Sequence, residues 1–230
     1  MKRHQCIIYF NQIILLFIFV SFLSCSVKKK DGRNENEKNY IFFLHNKFIE
    51  NNPPGTFDTI YNVKAEYNEI IESFRRDDFI VISERRMPKT DGINYAKKIV
   101  SQIDSLIAKG VSPDHITIVG TSKGGYIAQF VSTYAKNPKL NFVFIGCFQD
   151  SDINEIPGIV FCGNILNIYE KSDEYGVSAI KRYQISKLPI PHFKEVELNN
   201  GLKHGFLYIA SDEWIKPCKM WAKRNYNLIN

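Results

Sequence analysis

Residues 120–124 (GTSKG) place Ser122 between two glycines that stand two positions away on either side. An apolar, β-branched run at 116–119 precedes this pentapeptide, and a stretch of helix-forming residues at 126–136 follows it. A sharp turn from a strand into a helix holds such a serine in a strained backbone conformation, so its flanking residues must lack bulk. The chemistry that this arrangement predicts is nucleophilic attack by the Ser122 hydroxyl, with the Lys123 amide facing the reacting oxygen.

Two later segments could supply the partners that Ser122 needs, because a serine hydroxyl is a poor nucleophile without a base to take its proton. Residues 170–174 (EKSDE) follow an apolar run, and residues 199–205 (NNGLKHG) follow an alternating one. His204 is the candidate base, and Asp173 is the candidate acid that orients its ring. The other carboxylates that could serve as the acid are Glu170, Glu174, Asp150 and Asp152.

The elements that must bring these side chains together are short apolar runs that alternate with amphipathic stretches. The runs predict strands at 40–44, 79–83, 116–119, 141–145, 165–169 and, nearer a sheet edge, 193–198. The amphipathic stretches predict helices at 67–74, 96–107, 126–136 and 214–224. Alternating strands and helices indicate an open α/β sheet of parallel strands. Functional groups collect at the carboxyl ends of such strands, and all three candidates follow a strand.

The chain order Ser122, Asp173, His204 is similar to the order in the α/β-hydrolase superfamily. Over nearly the whole domain the chain resembles a small esterase, lipase or thioesterase with little or no lid. The resemblance implies a three-layer fold with a mostly parallel sheet and helices on both faces. It also implies cleavage of an ester, thioester or related acyl bond through an acyl-enzyme, with no cofactor or metal. A peptidase using the same triad, or a catalytically silent binding module on this fold, is the alternative.

The resemblance also implies a second donor for the reacting oxygen in the loop at 45–47, where the Lys47 amide would act beside the Lys123 amide. The superfamily often has His-Gly in this loop, whereas this chain has His45 and Asn46. Glycine serves where φ is positive, and asparagine is the residue that next best tolerates that region. We therefore expect Asn46 to replace glycine there.

Charged residues near the predicted site could have a structural role or contact the substrate. Glu50 follows the 45–47 loop closely and is a candidate brace for it. Residues 84–86 (ERR) follow the predicted strand at 79–83 and would face the same rim. A solvated loop is the expected role of the two arginines, and contact with an anionic substrate group is the alternative.

The amino terminus, residues 1–24, reads as a targeting segment with a basic start and an apolar core of eleven residues at 13–23. It resembles a bacterial lipoprotein signal, in which Cys25 becomes the lipidated first residue of an exported, membrane-anchored protein on the periplasmic or cell-surface side. An uncleaved signal anchor is the alternative, although a span needs about 20 apolar residues. Residues 25–39 read as a disordered tether, and 40–226 as the α/β-hydrolase domain.

The net charge and the cysteines exclude some other functions. The formal charge is +6, and without two basic residues of the leader 28 basic residues face 24 acidic ones, or +4. An excess this mild and scattered does not predict nucleic-acid binding. Cys147, Cys162 and Cys218 remain in the domain and can form at most one disulfide, and no C-x-x-C pair or His/Cys cluster indicates a metal site.

Overall fold

The structure is a computed structural model that describes residues 37–227. The predicted signal peptide at 1–24, the lipidation site Cys25 and the tether as far as residue 36 lie outside the described residues. Within residues 37–227, no helix is both long enough and apolar enough to cross a bilayer.

Strands and helices alternate along the described chain as the apolar pattern predicts. The strands are β1 (Tyr40–Leu44), β2 (Phe57–Asp58), β3 (Val63–Lys64), β4 (Ile80–Ile82), β5 (Ile116–Thr121), β6 (Asn141–Ile145), β7 (Asn164–Glu170) and β8 (Phe193–Leu198). The helices are α1 (Lys47–Asn51), α2 (Tyr67–Arg75), α3 (Gly92–Ala108), α4 (Lys123–Ala135), α5 (Asp152–Glu155), α6 (Ile180–Ile185) and α7 (Asp212–Ala222). Short 3₁₀ turns span Pro113–His115 and Lys203–Tyr208.

Within residues 37–227, a six-stranded sheet has the order β4-β1-β5-β6-β7-β8, and every neighbouring pair is parallel. Strand β8 lies at one edge, as its alternating sequence predicts. The small strands β2 and β3 form a separate antiparallel hairpin. The sheet order brings the carboxyl ends of β1, β5, β7 and β8 to one edge, and this edge holds the candidate site.

The core lies on both faces of the sheet, because successive side chains of a strand point to opposite sides. In β1, Ile41 and Phe43 pack in a cluster with the buried faces of α2 and α7. The intervening Phe42 and the final Leu44 pack in a second cluster with α3 and α4. The result is three layers, with helices on either side of the sheet. The predicted α/β class is confirmed.

The strand bounds agree closely with the sequence pattern, except that the strand predicted at 79–83 is shorter. The helices predicted at 96–107 and 126–136 begin earlier, at Gly92 and Lys123, and the helix predicted at 214–224 spans Asp212–Ala222. The pattern missed α1, α5, α6 and the β2–β3 hairpin. Each has six residues or fewer, too few for a helical or alternating period to emerge. Two of them, α1 and the hairpin, border the candidate site.

Candidate active site

Ser122 stands at a sharp turn between the end of β5 and the start of α4. Its backbone has φ 48° and ψ −119°, a conformation that non-glycine residues rarely adopt. The Ser122 amide donates to the Ile145 carbonyl (2.9 Å), and the Ser122 carbonyl accepts from the Gly125 and Tyr126 amides at 2.8 and 3.1 Å. The strained turn expected from the pentapeptide is present.

The glycines that flank Ser122 are required by close backbone approaches. A Cβ on Gly120 would lie 2.3 Å from the Gly124 carbonyl oxygen. A Cβ on Gly124 would lie 1.9 Å from the Leu44 carbonyl oxygen, so the first turn of α4 touches the end of β1. No side chain fits in either space, which explains the spacing in the sequence.

His204 and Asp173 meet Ser122 through two hydrogen bonds. The Nε2 atom of His204 lies 2.9 Å from the Ser122 Oγ, and its Nδ1 atom lies 2.8 Å from the Asp173 Oδ2. A carboxylate only accepts hydrogen bonds, so Nδ1 carries the ring proton and Nε2 is left to accept from the serine hydroxyl. The Asp173 Oδ1 accepts from the Tyr175 amide at 2.9 Å, which fixes the carboxylate. Ser122, His204 and Asp173, which lie far apart in sequence, therefore form one hydrogen-bonded chain.

Glu170, one of the competing acids, holds the loops that carry Asp173 and His204. Its buried carboxylate accepts from the Ser172 amide (2.6 Å) and from the Asn200 and Gly201 amides (3.1 Å each). Burial alone would raise the pKa of Glu170, but the hydrogen bonds from Ser172 and these amides outweigh it and lower the pKa. The carboxylate thus ties the end of β7 to the loop after β8. The remaining competitors, Asp150, Asp152 and Glu174, form no hydrogen bond with His204, whose ring bonds Asp173 and Ser122.

Lys47 and Lys123 are the first residues of α1 and α4, where backbone amides have no partner within the helix. The expected reason for Asn46 is wrong. Asn46 has φ −71°, not a positive φ, and its side chain accepts from the Ile49 amide at 3.1 Å. It therefore caps the helix that Lys47 begins, and its role is to fix the direction of the Lys47 amide.

Glu50 braces this loop through two cations, as the sequence suggested. The Lys123 Nζ donates to both carboxylate oxygens at 2.9 and 2.7 Å and to the Thr90 carbonyl at 2.8 Å. The Arg86 Nε lies 3.4 Å from the same carboxylate, whose side chain is only 1% exposed. Glu50 belongs to α1 and Lys123 to α4, so this ion pair connects the two helices.

The expectation that the arginines at 85 and 86 form a solvated loop is wrong for Arg86. Its guanidinium is fully buried and donates to the His45 carbonyl, and it lies 5.5 Å from the centroid of the Tyr95 ring. Burial lowers the pKa of Arg86, and the charge of Glu50 opposes that effect. Arg86 therefore supports the 45–47 loop through its hydrogen bond to the His45 carbonyl.

His45 is a neutral structural residue in this loop. Its Nδ1 lies 2.8 Å from the Asn46 carbonyl, and its Nε2 accepts from the Arg86 amide at 2.8 Å. Burial, with the charge of Arg86 next, lowers the pKa of His45 to about 3. The imidazole is uncharged at neutral pH and does not compete with His204.

An open cleft of about 580 Å³ reaches Ser122 and His204. The β2–β3 hairpin supplies one wall through Tyr61, whose ring centroid lies 6.0 Å from that of His204. Tyr175 supplies another wall, edge-on to His204 at 5.2 Å. The sequence analysis did not identify either tyrosine. The asparagine at position 62 has a positive φ, and the turn-forming Asp58 and Asn62 were the available signal for the hairpin.

The three cysteines of the domain are buried free thiols and form no disulfide. Burial raises the pKa of Cys147 to about 12 and raises the pKa of Cys162 and Cys218. Across residues 37–227, no group of three His, Cys, Asp or Glu side chains is arranged to hold a metal ion.

No family model and no curated protein sequence matches the chain. Solved structures match its fold. A candidate α/β hydrolase of unknown function from Agrobacterium tumefaciens is 16% identical, with a TM-score of 0.56 over 85% of this chain and 88% of that one. MGS-M1, an α/β hydrolase enzyme from a Medee basin deep-sea metagenome library, is 13% identical, with a TM-score of 0.54 over 84% and 86%.

The esterase domain of a Rhodothermus marinus protein is also similar, at 14% identity and a TM-score of 0.51 over 82% of this chain and 86% of that one. Identities this low establish the fold alone. The chain has the three-layer α/β-hydrolase fold, as its sequence predicts.

Proposed function

We propose that this protein is a serine hydrolase that cleaves an ester, thioester or related acyl bond through an acyl-enzyme. The observation that carries the proposal is the hydrogen-bonded chain from Ser122 through His204 to Asp173, at the strand ends of an α/β-hydrolase fold. The similarity to hydrolase and esterase structures supports a hydrolase in general. The strained backbone of Ser122 adds support, because strain of this kind clusters at functional sites.

In the proposed reaction, His204 removes the Ser122 proton as the hydroxyl oxygen attacks the acyl carbon. The imidazolium that forms is stabilised by Asp173, which also keeps the ring in the required tautomer. His204 then returns the proton to the leaving group as the bond between the acyl carbon and the leaving group breaks, and the acyl group remains attached to Ser122 as an ester. A water molecule, activated by the same ring, attacks that ester and releases the acid.

The amides of Lys47 and Lys123 are the proposed donors for the negatively charged oxygen of the tetrahedral intermediate. The Ser122 amide is excluded from this role because it donates to the Ile145 carbonyl. Both proposed donors begin a helix beside the serine, so they lack intrahelical partners and share the positive helix end. Removing one such donor in other hydrolases costs about 3–4 kcal/mol in activation free energy.

Labelling with a fluorophosphonate probe tests this proposal. We expect the wild-type protein to be labelled at Ser122 and to hydrolyse p-nitrophenyl acetate. Ser122→Ala should lose the label and at least about 10⁴-fold in turnover. Ser101→Ala, on the exposed side of α3, is the matched control and should retain both. A wild-type protein that stays unlabelled, or a Ser122→Ala variant with full turnover, would show that the assignment is wrong. Paired ester and peptide libraries then measure which acyl bond is cleaved.

The membrane tether is a second part of the proposal, and it rests on the sequence of residues 1–25 alone. Lipidation at Cys25 would anchor the enzyme on the outer side of a bacterial membrane. We expect a bacterium that expresses the full chain to incorporate radiolabelled palmitate into it. Cys25→Ser should abolish incorporation, whereas Cys6→Ser should not. Equal labelling of the Cys25→Ser variant would exclude lipidation at this residue.

A further inference from the structure

Two cavities with different linings meet at Ser122. The larger, of about 580 Å³, contains His204 in its lining. The smaller, of about 370 Å³, is bounded by Lys123, Ile127 and Phe130 and does not include His204. Ser122 belongs to both. A substrate attacked at Ser122 can therefore place one of its two parts in each cavity.

The proposed reaction, on which this inference rests, decides which part enters which cavity. The ring nitrogen of His204 that removes the Ser122 proton must next deliver it to the leaving oxygen. The leaving group must consequently lie on the His204 side, in the larger cavity. The carbonyl oxygen then lies between the Lys47 and Lys123 amides, and the acyl group occupies the smaller cavity.

The larger cavity is lined mainly by aromatic rings and amide side chains, together with the charged residues Lys47 and Asp58. Tyr61 and Tyr175 flank His204, and Tyr208 packs edge-on against Tyr61 with 5.8 Å between ring centroids. The amide side chains of the lining are Asn46, Asn51, Asn52 and Gln149. Amide side chains both donate and accept hydrogen bonds, and tyrosines offer an apolar face and a polar tip.

The combination of aromatic rings and amide side chains in the larger cavity fits the alcohol part of a sugar ester. The C–H faces of a sugar ring are apolar and pack on aromatic rings, while its hydroxyls need donors and acceptors at the edge. Two residues of the lining are formally charged: Asp58 and Lys47, the latter shared with the smaller cavity. One cation and one anion do not make a site for a phosphate or a carboxylate, which proteins bind with clustered cations. Ligand pockets in proteins commonly have volumes of about 300–1,000 Å³. The larger cavity lies within this range and is larger than a short alcohol needs.

The smaller cavity suits an apolar acyl group. Ile127 is buried and Phe130 half-buried, and both present hydrocarbon to the groove beside Ser122. We infer that the substrates are esters of uncharged carbohydrates with apolar acyl groups, with the sugar held between Tyr61 and Tyr175.

The test compares acetate esters that differ only in the alcohol: an acetylated methyl glucoside, the same sugar carrying a carboxylate, and ethyl acetate. We expect kcat/KM for the neutral sugar ester to exceed that for ethyl acetate at least tenfold, and to exceed that for the charged sugar. Tyr175→Ala should reduce this preference at least tenfold. Tyr175 is 48% exposed, so its loss is not expected to prevent folding, and a thermal melt verifies this. Ile185→Ala, at a 52% exposed apolar residue outside both cavities, should preserve the preference.

The outcomes separate this inference from the proposed function. If the wild-type protein hydrolyses p-nitrophenyl acetate and reacts with fluorophosphonate but shows no preference for the neutral sugar ester, the sugar assignment is overturned and the serine hydrolase stands. A preference that survives in Tyr175→Ala unchanged also overturns it. If neither probe reacts, the proposed function and the inference fall together.

Discussion

Replacing Glu50 by glutamine tests whether the ion pair between α1 and α4 holds the two proposed oxyanion donors in position. Glu50 lies on the helix that begins with Lys47, and its partner is the side chain of Lys123 itself. The substitution keeps the size of the side chain and removes its charge. It leaves the buried guanidinium of Arg86 without the carboxylate that lies 3.4 Å from it.

The expected loss of stability follows from burial. Removing one partner of a buried ion pair costs about 3–5 kcal/mol, because the other charge is left uncompensated. For a domain of this size each kcal/mol lowers the Tm by about 2–4 °C, so we expect Glu50→Gln to lower it by about 10 °C. Glu72→Gln is the matched control, since the Glu72–Arg75 pair is more than half exposed and such pairs contribute at most about 1 kcal/mol.

The expected loss of activity follows from the location of the donors. A donor that stabilises only the charged intermediate affects kcat and leaves ground-state binding unchanged. Complete loss of one donor lowers kcat by about 10²–10³-fold, so a displaced donor should lower it by about 10- to 100-fold, with KM within about twofold. Steady-state kinetics at a temperature well below the Tm of the variant measure both constants.

A purely electrostatic account predicts the opposite sign. Removing a negative charge near the developing oxyanion would raise kcat, or leave it unchanged if the charge is too far away. An increased or unchanged kcat in Glu50→Gln would therefore refute the positioning role. Lys123→Met is a second variant, which removes the same ion pair from the other side and leaves Glu50 beside Arg86. It should lower kcat with a smaller loss of stability, because the Lys123 side chain is partly exposed.

Other expectations concern the turn, the loop and the thiols. Gly124→Ala would place a Cβ 1.9 Å from a carbonyl oxygen at the end of β1, so it should destabilise the fold by several kcal/mol in urea unfolding, whereas Gly158→Ala meets open space and should not. Because the pKa of His45 falls from 6.5 to about 3 on folding, only the unfolded chain binds its proton in that window. The free energy of unfolding should decline as the pH falls from 6.5 towards 3, less steeply in His45→Gln, and an equal slope in both would contradict this. Cys147 and Cys218 should resist iodoacetamide in the native protein and react in urea, as measured by peptide mapping, and rapid native labelling would contradict their burial.

The framework of the fold could be predicted because its signals are local. Strands β1, β6 and β8 have the predicted bounds, since buried parallel strands read as continuous apolar runs and an edge strand alternates. The reason for the glycines around Ser122 could also be predicted from the sequence, because the steric requirement that they meet belongs to a single turn. The candidate acid and base could be predicted as well, because Asp173 follows β7 and His204 follows β8.

The support around the site could not be predicted with the same precision. Asn46 has two common uses, in a left-handed conformation and as a helix cap, and the choice depends on whether a helix follows. The helix α1 has only five residues, so its sequence carries no detectable period. Arg86 offers nothing local to distinguish a solvated side chain from one buried beneath another loop. Its buried guanidinium contacts Glu50, which is 36 residues away in the chain.

The backbone strain at Ser122 explains why this support is so extensive. A residue held at φ 48° returns to a relaxed conformation unless its neighbours prevent it. Here the start of α4 is held by direct backbone contact at Gly124, by the ion pair between Lys123 and Glu50, and by the hydrogen bond from the Ser122 amide to β6. Two of these restraints also fix the 45–47 loop, because Gly124 touches the end of β1 and Glu50 belongs to α1. The same contacts that maintain the strained serine therefore set the distance between the proposed nucleophile and the Lys47 amide, so a change that relaxes the turn should also displace that proposed donor.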